Sequence, residues 1–135
     1  MLIDYSDLIG IPFKSGGRSK AEGYDCYGLV CEIYKRAGIT LPPYYADAFD
    51  SAAVNKQIEE AKTHSYWQQI PSPRDLCILA IRFNSPVVNH TGVYIGNGQF
   101  LHTRERIGVS VTRIDSPAWR RLIDGYYIYR GGQII

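Results

Sequence analysis

Long apolar runs are missing from this chain of 135 residues. No stretch approaches the roughly 20 apolar residues that span a bilayer, so no membrane insertion is expected. The N-terminus, Met1-Leu2-Ile3-Asp4-Tyr5-Ser6-Asp7, has no basic region followed by an apolar run, and no signal peptide is expected from it. Charge of one sign is scarce too. Fifteen Lys and Arg against thirteen Asp and Glu leave a formal net charge of +2, too little for the basic stripe that nucleic acid requires. There are three cysteines, so they cannot all pair, and none has a Cys-x-x-Cys or zinc-ligand spacing; neither a metal nor another cofactor is expected. The glycine-rich basic loop from Lys14 to Gly23 lacks the terminal Lys-Ser or Lys-Thr of a phosphate-binding loop. Repeats, linkers and low-complexity tracts are absent as well. Residues 1–135 therefore read as one domain, long enough to bury a core.

Tyrosine, by contrast, is abundant, with eleven copies that suit core edges, strand faces and polar ligands. Residues 4–9 suggest a short helix stopped by Gly10 and Pro12. Asp25 is a good N-cap for a helix in which Leu29, Val30, Ile33, Tyr34 and Ala37 recur at helical spacing. Gly38 ends it. A second, more polar helix is expected over 46–64, its weak stripe of Ala48, Ala52, Ile58 and Ala61 implying peripheral packing. Residues 76–83 read as a central strand. Strands at 90–95 and 99–103 flank Gly96-Asn97-Gly98, and further strands follow at 109–114 and 126–129. Helices first and sheet second make an α+β architecture with an antiparallel sheet.

Cys26 lies where a loop runs into the first helix, and His90 and His102 lie on the predicted hairpin. A thiol and imidazoles so placed are the material of a cysteine hydrolase. The helix end lowers a thiol pKa by less than about one unit, and an imidazolium lowers it further, so a depressed Cys26 pKa is expected. Cys31, on another helix face, and Cys77, inside an apolar strand, read as structural. Asp25 reads as a structural cap, and Gly28 as a small residue admitting a substrate backbone. A two-residue loop, Asn97-Gly98, puts His90 and His102 on opposite sheet faces. A three-residue loop with a bulge pairs Ile95 with Gln99, sets His102 opposite Gly92, and brings His90 to the same face. The bulged loop is the expectation.

These residues resemble the NlpC family of papain-like cysteine peptidases, which cleave peptidoglycan stem peptides. The resemblance rests on Asp25-Cys26-x-Gly28-Leu29-Val30, Arg74-Asp75-Leu76, His90-x-Gly92-Val93-Tyr94 and Leu101-His102. It is strongest to short members among bacteriophage tail proteins, which share Pro12-Phe13, the approach from Trp67 to Asp75, and the closing segment from Gly125 to Arg130. The resemblance implies a papain-like domain with N-terminal helices packed on a C-terminal sheet. It implies Cys26 as nucleophile, His90 as its base and His102 as the residue orienting His90. Phe13, Tyr27, Gly28 and Gly92 would then border the substrate. Family members often carry tyrosine at the place of Phe13 and serine at that of Tyr27. The implied activity is endopeptidase cleavage of stem peptides at the γ-D-glutamyl–diaminopimelate bond. The implied setting is a virion tail, with other tail proteins as partners, acting during wall penetration. The alternatives are a structural tail-tip or assembly subunit with little or no hydrolysis, and a cysteine amidase, acyltransferase or thioester hydrolase.

Overall fold

The structure, a computed structural model, describes residues 3–131. A turn of 3-10 helix at Ser6–Leu8 leads to a small ribbon, β1 (Arg18–Ser19) with β2 (Gly23–Tyr24), and then to helix α1 (Cys26–Arg36). Helix α2 (Ser51–Lys62) follows. Six strands come next: β3 (Trp67–Ile70), β4 (Ile78–Ile81), β5 (His90–Gly96), β6 (Gln99–Arg104), β7 (Gly108–Arg113) and β8 (Ile123–Tyr129). They form one antiparallel sheet in the order β3-β8-β4-β5-β6-β7.

Helix α1 packs on one face of the sheet because its apolar residues share one side. Leu29, Val30 and Ile33 are wholly buried with Val93 and Leu101 from the strands. Each such side chain contributes roughly 1.5–3 kcal/mol of transfer free energy. The opposite face carries a second cluster built on Leu79, Ile81, Phe100 and Trp119. Strand β4, buried at all four positions, is the central strand that its apolar run predicts. It starts later than expected because Leu76 sits at φ +68°, outside the strand region, and it ends at Ile81, two residues before the expected end.

Helix α2 starts at Ser51, later than the composition suggests, because Asp50 caps it by accepting a bond from Ala53 N at 3.0 Å. None of its residues is buried, as the weak stripe implies. Strands β1, β2 and β3 were not legible: two-residue strands show no periodicity, and Gln68 and Gln69 of β3 are exposed. The hairpin differs in detail from the expectation. Gly96 pairs with Gln99 across a two-residue turn, and the extra residue falls at Ile95, so Tyr94 meets Phe100 and Val93 meets Leu101. The bulge thus sits one residue earlier than the loop chemistry suggests, with the same consequence for the strands beyond it. Continued, that register sets His102 opposite Gly92.

Candidate active site

The start of α1 is held by a buried carboxylate. Asp25 Oδ1 accepts bonds from Gly28 N at 2.7 Å and Arg18 Nη1 at 2.6 Å, and Oδ2 accepts one from Gly16 N at 2.9 Å. Arg18 also donates to Gly17 O and Tyr44 O. This clamp makes Cys26 the first residue of the helix, half-buried at the wall of a cleft of about 210 Å³. The floor of the cleft is sheet: Ile78, Ala80, Thr91 and Thr103. Tyr44, Tyr45 and Phe49 of the preceding loop, with Val54 and Ile58 of α2, form the other wall.

His90, the first residue of β5, lines the same cleft. Its Nε2 lies 2.9 Å from Nδ1 of His102, and Nε2 of His102 lies 2.8 Å from Thr112 Oγ1. The bare Gly92 admits this arrangement: a Cβ there would come within 3.4 Å of the His102 Cβ and 2.9 Å of the Phe100 ring. Trp119 stands edge-on to His102 at 4.7 Å, and Phe83 stacks on Trp119 at 5.3 Å, which excludes water from the imidazole pair. Burial pushes His90 down to about 4 and His102 down to about 2, so both are neutral at pH 7. With His90 Nε2–H donating to His102 and His102 Nε2–H donating to Thr112, His90 keeps a free lone pair on Nδ1. That tautomer is assigned from the bond network.

The thiol departs from expectation. Burial, and next the Asp25 carboxylate, push the Cys26 pKa up, while the Thr91 hydroxyl and backbone pull it down. Cys26 and His90 share the cleft without hydrogen-bonding each other in this structure, and burial pushes the thiol up and the imidazole down, so each shift favours the neutral form. Loose hydrogen bonds in a free site commonly tighten around substrate.

Phe13 and Tyr27 both line the cleft. Phe13 meets Phe49 edge-on at 5.9 Å, and the Tyr27 hydroxyl donates to Pro42 O at 2.6 Å. The two glycines do not border it. A Cβ on Gly28 would lie 2.1 Å from Gly17 O, so this glycine admits the β1 loop and not a substrate backbone. Gly92 likewise makes room for Phe100 and His102. Cys31 and Cys77 are pushed up to about 11 by burial. The reading from sequence missed Arg18, Thr112, Phe83, Trp119 and Arg104. Only Arg104 left a signal, since it follows His102 by two and so shares its strand face.

A thiol at a helix start, an imidazole from the sheet lining the same cleft and a second residue bonded to that imidazole are the arrangement of a papain-like cysteine-peptidase domain. Residues 10–127 match the NlpC/P60 family, and the chain belongs to it. It is 29% identical over 111 residues to the bifunctional muramidase/DL-endopeptidase CwlT of Bacillus subtilis (strain 168), covering 82% of this chain and 30% of that protein. It is 30% identical over 98 residues to the gamma-D-glutamyl-L-lysine dipeptidyl-peptidase of the same organism, covering 71% and 28%. It is 25% identical to the murein DD-endopeptidase MepS/murein LD-carboxypeptidase of Escherichia coli (strain K12), covering 87% and 55%. The chain thus spans between 28% and 55% of the length of these relatives. An NLP/P60 family lipoprotein-like structure from Staphylococcus aureus superposes with a TM-score of 0.64 at 22% identity, over 90% of this chain and 37% of that one. That likeness bears on the fold alone.

Proposed function

We propose that this domain is a cysteine endopeptidase of peptidoglycan stem peptides. The observation that carries the reading is His90, bonded to the buried His102 and lining the same cleft as Cys26 at the start of α1. Cys26 Sγ attacks the scissile carbonyl carbon as its proton passes to His90 Nδ1. The oxyanion is met by free backbone N–H groups of the first turn of α1. Collapse breaks the C–N bond, His90 returns the proton to the leaving amine, and a thioester remains on Cys26. Water deprotonated by His90 then hydrolyses the thioester and restores the thiol. His102 holds His90 in the required tautomer throughout.

The γ-D-glutamyl bond to the diamino acid is the proposed target, supported by the name of the gamma-D-glutamyl-L-lysine dipeptidyl-peptidase relative and by the motifs around Cys26 and His90. Delivery within a bacteriophage tail, bound to other tail proteins, is proposed on the resemblance around Phe13, Trp67 and Gly125. Phe13 brings no hydroxyl to the cleft, and that favours the rival reading of a structural tail subunit. Incubation with defined muropeptides, read by mass spectrometry, separates the two. Cleavage at the glutamyl bond that Cys26→Ala abolishes supports the proposal. Inert protein found within purified virions supports the rival.

A further inference from the structure

Arg104 ends β6, two residues beyond His102, and lines the cleft beside His90. Its guanidinium carbon lies 5.7 Å from the centre of the Phe83 ring and 5.6 Å from that of Trp119, within the range of cation–π attraction. Those two rings also pack on the imidazole pair: Phe83 lies 5.6 Å from His90, and Trp119 lies 4.7 Å from His102. Arg104 Nε is buried without a hydrogen-bond partner, and among the described residues Arg104 makes no ion pair. Its neighbour Glu105, exposed on the same cleft, does not pair with it. The other arginine of the cleft is the opposite case. Arg18 is bonded to Asp25, Gly17 and Tyr44.

A cation with no partner among the described residues works against the chemistry here. His90 must become an imidazolium when it takes the thiol proton, and a guanidinium nearby disfavours that charge. Burial is the main cause of the lowered imidazole pKa values, and Arg104 adds to it at both. The conflict disappears if an anion enters with the substrate. A carboxylate on the guanidinium satisfies its open donors and offsets its field at the moment His90 is charged. The rings of Phe83 and Trp119 hold the guanidinium in place beforehand, so little ordering is lost on binding.

We propose that Arg104 is the docking point for a substrate carboxylate adjacent to the scissile bond, and that this carboxylate supports protonation of His90. The inference rests on the stem-peptide reading above. Two carboxylates of such a peptide carry the same chemistry: that of the γ-linked D-glutamyl residue, and the free one of the diamino acid on the leaving side. Stem peptides amidated at one or the other distinguish them.

The test measures kcat/KM for the free-acid peptide and each mono-amide with wild-type, Arg104→Gln and Arg104→Lys protein. Wild type is expected to lose about 10–100-fold on one of the two amides, the span of a charge-assisted hydrogen bond. Arg104→Gln is expected to lose as much on the free acid and to treat it and that amide alike. Arg104→Lys, which keeps the charge, is expected to recover part of the discrimination. A wild type indifferent to both amidations, or a folded Arg104→Gln that still discriminates, overturns the proposal. A readout independent of any peptide is the Cys26 alkylation rate with iodoacetate relative to iodoacetamide. That ratio is expected to fall several-fold in Arg104→Gln. If no stem peptide is cleaved, the substrate reading fails, and the ratio alone decides: unchanged, it sinks the role of Arg104 as well.

Discussion

On the sheet side of the cleft, His90, Thr91, His102 and Thr103 are each less than a tenth exposed. On the other side no residue of α2 is buried, and Tyr45 and Phe49 of the loop before it are 59% and 63% exposed. The first side is built from paired strands, with a cluster of rings behind the imidazoles. The second is a capped helix resting over apolar residues. Proton transfer tolerates little displacement, and the proposed acid–base groups His90 and His102 lie in the closely packed side of the cleft. Recognition tolerates adjustment, so the aromatic wall can be loose. Substitutions on the sheet side are therefore expected to act on turnover, and those on the α2 side on binding.

The largest effect is expected at His102. His102→Ala frees the His90 ring, and loss of the orienting member of a serine triad costs on the order of 10⁴ in turnover. His102→Asn should recover part of this, since its carbonyl can accept the His90 N–H. Thr112→Val removes the outer acceptor of the relay and should cost less than His102→Ala, with KM unchanged. Steady-state kinetics on folded variants check all three. A His102→Ala variant with wild-type kcat would dissolve the contrast between the two sides.

Asp25 comes next and sharpens the comparison, because its role is structural on the chemical side of the cleft. The carboxylate takes three bonds, and an asparagine cannot supply every acceptor. Asp25→Asn is expected to lose about 1.5–3 kcal/mol, the worth of a hydrogen bond to a charged group. Its charge also holds the Cys26 pKa up, so the same substitution should lower that pKa and speed alkylation at neutral pH. Chemical denaturation and the pH dependence of labelling measure the two effects separately. A destabilised variant with an unmoved thiol pKa would show that burial alone sets it.

What could be read from the chain was whatever repeats or pairs locally. Asp25 as a cap, the stripe of α1 and the buried run of β4 all follow from short-range rules. The hairpin register was also reachable, since only a bulge brings His90 and His102 together. The bulge itself fell at Ile95, because Gly96 takes a positive φ of 92° and still pairs with Gln99. Long-range environment was not legible. Gly28 looks like room for substrate until Gly17 O is found in that space. The direction of the Cys26 shift needs the burial of the thiol and of His90, which no spacing reveals. The ring cluster needs Phe83 and Trp119, distant in sequence, to meet at one imidazole pair.

The buried imidazoles also set a pH signature. In the unfolded chain both histidines titrate near 6.5, whereas burial holds His90 down to about 4 and His102 down to about 2. Between those values the unfolded state binds more protons. Stability present above pH 6.5 is therefore lost progressively as the pH falls. The acid limb of kcat/KM should lie near 4 and not near 6.5, because only neutral His90 can take the thiol proton. Denaturation midpoints against pH check the first statement, and His102→Asn should flatten their acid slope. An acid limb at the ordinary imidazole value would mean that His90 is open to water.

The smallest effect is expected on the α2 side. Asp50 caps the helix by a single bond from Ala53 N, and Asp50→Ala should cost about 0.5–2 kcal/mol. Ile58 lines the cleft without being buried, so Ile58→Ala removes little from the core and should cost less than the 2–5 kcal/mol of a buried isoleucine. Both changes loosen the wall that faces substrate and leave His90, His102 and Thr112 untouched. KM is therefore expected to rise a few-fold with kcat nearly constant. Native-state hydrogen exchange should find the α2 amides less protected than those of α1, whose buried face opens only with the core. Equal protection in the two helices, or a fall in kcat on loosening α2, would show that this wall is coupled to the chemistry after all.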